Sequence, residues 1–354
     1  MKRAIAAADR TAILALKLIA AVNVLFFLAF LIVLALASAK ARAAAAQCTG
    51  KDMLAELAAD NPALLSRIEA EASKTLNGKG LLWKVETEGA QPSYLFGTMH
   101  MTDPRVTELT PDAKQVFERA GTVVIETTEI LDQGAMMATL AKNPDLMMFT
   151  DGTTLVSLLP PADQKALEAG LAERGIALSA VSKMKPWILS SMVALPVCEL
   201  SRKAAGAPVL DVKLAQDAKA EGKKLEGLET VVDQFKAMAS LPMDFHLKAL
   251  VETVKLGDRI NDVVETMIVL YTKGDTGTFW PLFRAVLPEA DDDAGYAAFE
   301  QAMIVERNKT MVKNAQPILA AGNAFIAVGA LHLPGPDGLI ELLRKSGHSV
   351  TAVN

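Results

Sequence analysis

Two of the four histidines in this chain stand at matched positions. One closes Tyr94-Leu95-Phe96-Gly97-Thr98-Met99-His100 and the other closes Phe325-Ile326-Ala327-Val328-Gly329-Ala330-Leu331-His332. Each reads as an apolar strand, then glycine, two residues and histidine. A glycine at a strand end permits the positive φ of a sharp turn, and it lets a second backbone or a ligand come close. The imidazole is then fixed to a rigid strand terminus, where ligands of open α/β sheets bind. A single Gly-x-x-His arises by chance; two in the same local context, near the two ends of one domain, point to a shared site. Two satisfied structural histidines are the plainer alternative. His246 and His348 lack this context and read as packing or surface residues. Glu126 and Glu229 each end a short apolar run. Either suits a metal ion or a water-activating base, and either is also explained by a buried ion pair.

Those residues need a scaffold of strands. Leu81–Val85 and Ser93–Phe96, around Gly89 and Pro92, predict a β-hairpin leading into the first turn. Thr110-Pro111-Asp112 starts a helix running to about Ala120, and Thr122–Glu126 reads as a buried strand. Residues 51–74 predict two short helices broken at Asn61-Pro62. Residues 130–205 are mostly helical, 212–221 form a helix, Lys224–Gly227 a strand, and 231–272 and 296–321 amphipathic helices. Ala324–Val328 is a strand, Pro336–Lys345 a helix and His348–Val353 a last strand. The expected fold is therefore α/β (α+β): a mixed central sheet flanked by helices, with a large helical insertion over about 130–320.

Residues 1–47 differ in character. Lys2, Arg3 and Arg10 precede an uncharged run from Leu18 to Ala39, and Ala-x-Ala tracts follow it. This reads as a signal peptide or membrane anchor, with residues 48–354 as one domain. The expected location is the periplasm or another export compartment, or the inner membrane facing it. Any membrane contact would be through this segment alone. Cleavage after Ala46 removes six Lys or Arg (2, 3, 10, 17, 40, 42) and one Asp (9), moving the formal charge from −5 to −10. An acidic chain without a Lys/Arg cluster offers no footprint for nucleic acid. The two cysteines, Cys48 and Cys198, are expected to be bonded to each other in an oxidising compartment.

Taken together, Tyr94–His100 with Met101–Arg105 behind it, Glu126 after a β run, Lys185-Pro186-Trp187, Leu210-Asp211, Gly227–Thr230, Glu306-Arg307-Asn308 and Val328–Gly338 resemble the TraB/PrgY/GumN family. The likeness is to its bacterial GumN-like branch, itself similar to the animal TIKI proteases, and spans nearly all of the chain after residue 47. Thr128 departs from the pattern, which has an acidic residue two positions after the glutamate. The resemblance implies a metal-dependent hydrolase, a peptidase in TIKI-like members, using manganese or cobalt and acting on a peptide or protein. Zinc and iron also suit two imidazoles and a carboxylate. His100, His332 and Glu126 are then the expected metal ligands, and Glu229 a base or a support. Arg307 and Asn308 would bind a substrate carbonyl or hold the glutamates. Two rivals remain: a non-catalytic protein that sequesters a peptide, and a metal-free His/Glu hydrolase resembling erythromycin esterases. No HExxH, Gly-x-Ser-x-Gly or Cys/His signature competes.

Overall fold

The computed structural model describes residues 48–286 and 293–353. The expected signal or anchor segment lies outside the described residues. Among those described, no helix is long and apolar enough to cross a membrane.

Six strands form one sheet: β1 (Leu82–Glu86), β2 (Ser93–Thr98), β3 (Thr122–Ile125), β4 (Lys224–Gly227), β5 (Ala324–Gly329) and β6 (Ser349–Ala352), in the order β4-β3-β5-β2-β1-β6. The four strands β4, β3, β5 and β2 run parallel. The expected hairpin joins β1 antiparallel to β2, and β6 adds antiparallel to β1. Continuous apolar runs such as Thr122–Ile125 and Ala324–Gly329 belong in such a sheet, because parallel strands are covered on both faces.

Alternate residues of each strand feed two cores. Phe96, Ile125 and Phe325 pack on one face with Leu210, Leu214, Ile268 and Tyr271. Leu95, Val124 and Ile326 pack on the other with Met311, Leu319, Ile340 and Leu343. Helices Leu210–Ala220 and Arg259–Thr272 thus cover one side of the sheet, and Glu306–Ala321 and Leu339–Lys345 the other. A third core, around Leu155, Leu167, Leu171, Leu189 and Leu250, belongs to the helical insertion itself.

Cys48 and Cys198 form the expected disulfide, with Cα atoms 5.4 Å apart, inside the distance a bridge requires. The bond ties the chain just ahead of the helix Met53–Asp60 to the helix Val197–Ala204.

Candidate functional site

The parallel strands β2, β3, β4 and β5 are each followed within three residues by one of the predicted side chains. His100 follows β2, Glu126 follows β3, Glu229 follows β4 and His332 follows β5. A parallel sheet turns all its carboxyl ends to one side, which is where ligands of open α/β folds bind.

The second turn is buried. His332 lies 4% exposed at the end of a single 3₁₀ turn, Ala330–His332. Asn308, wholly buried, donates its Nδ2 to the carbonyls of His332 (3.2 Å) and Asp337 (2.8 Å). Those two acceptors fix the amide, so its Oδ1 must face the ring. His332 Nδ1 therefore carries the hydrogen and donates it to Asn308 Oδ1 at 2.7 Å. The lone pair is left on Nε2, 3.9 Å from Glu126 Oε1. Burial lowers the ring to about 4, so it is neutral at pH 7.

The first turn is open. The His100 side chain is 59% exposed. Its Nδ1 lies 2.8 Å from Asp211 Oδ2, and Thr98 Oγ1 donates to Asp211 Oδ1 at 2.7 Å. A carboxylate only accepts, so this ring too donates through Nδ1, and Nε2 becomes available to a ligand once the ring loses its second proton. Asp211, itself 3% exposed on the first turn of Leu210–Ala220, raises the ring to about 9.

Between the turns lies a charge cluster. Glu126 Oε1 accepts the Gly329 N–H at 2.7 Å, and Oε2 accepts from Arg307 Nη2 (2.7 Å) and Gln234 Nε2 (3.1 Å). Burial pushes its carboxyl upward, but His332, His100, Arg307 and the Gly329 amide outweigh this and hold it at about 2. Glu229, its side chain 1% exposed, accepts from Arg307 Nε and Nη2 and from Gln234 Nε2. Both its oxygens are bound to Arg307, so it supports that arginine and is poorly placed as a base. Arg307 Nη1 donates to the Met303 carbonyl at 3.2 Å, in a π-helical turn, Gln301–Val305, directly before the helix that carries Arg307 and Asn308.

The glycines serve close approach and not positive φ. Neither Gly97 nor Gly329 is among the residues with positive φ, and Gly329 sits at φ −52°. A Cβ on Gly97 would lie 2.8 Å from Leu333 Cδ1 and 3.1 Å from Ala330, and one on Gly329 would lie 3.2 Å from Glu126 Oε1. Each side chain they lack would push the turns or the carboxylate apart.

Among the described residues, no group of three His, Cys, Asp or Glu side chains stands ready to hold a metal ion. Both oxygens of Glu126 are already engaged, by Gly329, Arg307 and Gln234. The imidazoles do fit the task. Each has Nδ1–H tied to a side-chain oxygen, the arrangement by which metal-binding histidines are oriented; Nε2 of His332 is bare, and that of His100 is bare once the ring is deprotonated.

The family model described as TraB/PrgY/gumN matches residues 81–352. This chain belongs to that family. Curated proteins similar to this chain include "Metalloprotease TIKI1" of Danio rerio, 26% identical over 315 residues, covering 76% of this chain and 62% of the relative. The human protein of the same name is 25% identical over 316 residues (76% and 61%). The "Metalloprotease TIKI homolog" of Nematostella vectensis is 24% identical over 325 residues (78% and 68%). The match to the first of these relatives thus spans about three fifths of the relative's length. No solved structure matches the chain.

The fold of this TraB/PrgY/gumN member also uses residues to which sequence reasoning gave no role. Asp211 was visible only as half of the Leu210-Asp211 motif; its partnership with His100 crosses 111 residues. Gln234, which bridges Glu126 and Glu229, carries no motif in the sequence. The acid absent at Thr128 has a neighbour in Glu129, whose Oε2 accepts the Val231 N–H at 2.6 Å and so anchors the helix after β4.

Proposed function

We propose that the protein is an exported metal-dependent peptidase in which His100 and His332 hold a divalent ion through Nε2, beside Glu126. Manganese or cobalt is the favoured ion, ahead of zinc or iron. The observation that carries this reading is the pair of imidazoles after neighbouring parallel strands, each tied through Nδ1, with Nε2 of His332 3.9 Å from the buried carboxylate of Glu126. The metalloprotease names of the relatives support it. A bound ion of this kind polarises an amide carbonyl and brings the pKa of its water towards ~7.

The chain's own residues then divide the work. Glu126 is ionised throughout the neutral range and supplies negative charge beside the ion; held at about 2, it is a weak proton acceptor. Its main contribution is charge balance; to ligate the ion as well, it would share an oxygen with Gly329, Arg307 or Gln234. Arg307 has five N–H groups; Glu229, Glu126 and the Met303 carbonyl engage four of them, which leaves one Nη1 N–H for a substrate carbonyl. A cleft of about 580 Å³ opens beside it, lined by Glu229, Arg307, Asp233, Leu241, Ala298 and Ala302 among others, and would take the peptide flanking the scissile bond.

Turnover of a fluorogenic peptide library tests this. Activity should disappear on chelation and return with Mn²⁺ or Co²⁺. No cleavage under any metal would favour peptide sequestration, and cleavage indifferent to chelators would favour a metal-free His/Glu hydrolase.

A further inference from the structure

The segment directly behind His100 is gripped by a helix that has no part in the centre described above. Glu199 is completely buried, and its two oxygens accept from a single residue: Oε1 from the Thr102 N–H and Oε2 from the Thr102 hydroxyl, both at 2.7 Å. One turn later in the same helix, Val197–Ala204, Lys203 Nζ donates to the His100 carbonyl at 3.2 Å. Arg202 Nη1 lies 3.5 Å from Asp103 Oδ2. Three successive elements of the loop, His100, Thr102 and Asp103, are therefore held by one helical face.

That face is itself fixed. Cys198 immediately precedes Glu199 and is bonded to Cys48. On the other side of the bridge, Lys51 N donates to Asp262 Oδ1 and Met53 N to Thr266 Oγ1, both at 2.8 Å, on the helix Arg259–Thr272. The same helix carries Tyr271, whose hydroxyl donates to the Gly97 carbonyl at 2.9 Å. It also carries Glu265, which receives Arg105 from the far end of the same loop. The exposed turn thus lies between two helices that the disulfide links through the chain at 48–53. Buried charge-assisted hydrogen bonds are the strong ones, and a carboxylate wholly enclosed is costly to displace.

We propose that Glu199, braced by the Cys48–Cys198 bond, is a positioning residue for His100. It holds the exposed imidazole in the one pose from which it can share an ion with His332. The proposal rests on the reading of His100 as a metal ligand. It also explains why an open histidine, free of the packing that fixes His332, can still be pre-set: the restraint is applied to the backbone behind it.

The test compares the full chain with Glu199→Gln, Glu199→Asp and the double variant Cys48→Ser/Cys198→Ser. Glu199→Gln keeps the volume and one acceptor, so it spares the fold where Glu199→Ala would threaten it. Two quantities are read: amide hydrogen exchange across residues 98–103 of the metal-free protein, and Co²⁺ affinity with its visible absorption spectrum. We expect faster exchange at the Thr102 amide and at least tenfold weaker Co²⁺ binding with an altered spectrum in Glu199→Gln and in the serine variant. Glu199→Asp should recover part of both. Wild-type exchange together with wild-type Co²⁺ affinity and spectrum in these variants would overturn the positioning role while leaving the metal reading intact. Failure of the wild-type chain to take up Co²⁺ would instead remove the metal reading and, with it, the purpose assigned to Glu199.

Discussion

The two Gly-x-x-His turns share a sequence pattern and almost nothing else. At the β5 turn the ring is buried, held by a neutral amide and kept uncharged at about 4. At the β2 turn the ring is mostly exposed, held by a carboxylate and raised to about 9. Even the register differs: Thr98 pairs with Gly329 and Gly97 with Val328, so the histidines are offset by one residue along the sheet. The comparison teaches that a repeated motif specifies where a donor atom is presented, and the surroundings decide its charge and rigidity. One imidazole is ready for an ion at any pH above its own low value; the other must first lose a proton.

The sharpest way to break this contrast is to remove the cation beside the buried turn. Arg307→Leu leaves Glu126 and Glu229 without the cation between them, held only by Gln234 and the Gly329 amide, and breaking such a buried pair costs about 3–5 kcal/mol, to be read from urea unfolding of the metal-free chain. A loss below about 1 kcal/mol would mean that water already reaches the two carboxylates. Next in size is Asn308→Ala, which strands the His332 Nδ1–H and two carbonyls; about 1–3 kcal/mol is expected for a buried group left unpaired. The matching change at the open turn, Thr98→Val, removes one hydrogen bond to Asp211 and should cost only about 0.5–1.5 kcal/mol. Equal losses at the two turns would erase the distinction between them.

The last contrast lies in pH. His332 falls from an ordinary 6.5 unfolded to about 4 folded, so between those values the unfolded chain binds the extra proton and stability declines as pH drops. His100 has the opposite sign: raised to about 9, it favours the folded state below 6.5, and that contribution fades as pH rises towards 9, weakened throughout by its exposure. Proton NMR of the metal-free rings should show His100 still charged at pH 7.5 and His332 still neutral at pH 5. Both rings titrating together near 6.5 would show that the two environments are equivalent.

Much of this is legible in the sequence. The hairpin, the apolar parallel strands and the four side chains at their carboxyl ends follow from local pattern: period-two or continuous apolar runs, glycine, then a polar residue. The insertion of β5 between β3 and β2 did not follow, because non-local strand pairing leaves no local mark. Asp211, Gln234 and Glu199 were hidden for a related reason. Each lies on a helix where an acid or amide ordinarily meets solvent, and only tertiary packing turns it inward. The positive φ expected of Gly97 and Gly329 was the wrong one of two physical reasons for glycine; the right one, close approach, depends on neighbours more than 200 residues away.

Co²⁺ uptake by the metal-free chain at pH 7.5, measured by equilibrium dialysis for wild type, His100→Ala and His332→Ala, tests the shared centre most directly. The account predicts about one ion per wild-type chain and essentially none in either variant, with all three proteins folded by circular dichroism, because a single ion's ligands must all lie within its short coordination distances. Undiminished uptake in either variant, or no uptake by the wild type, would contradict it.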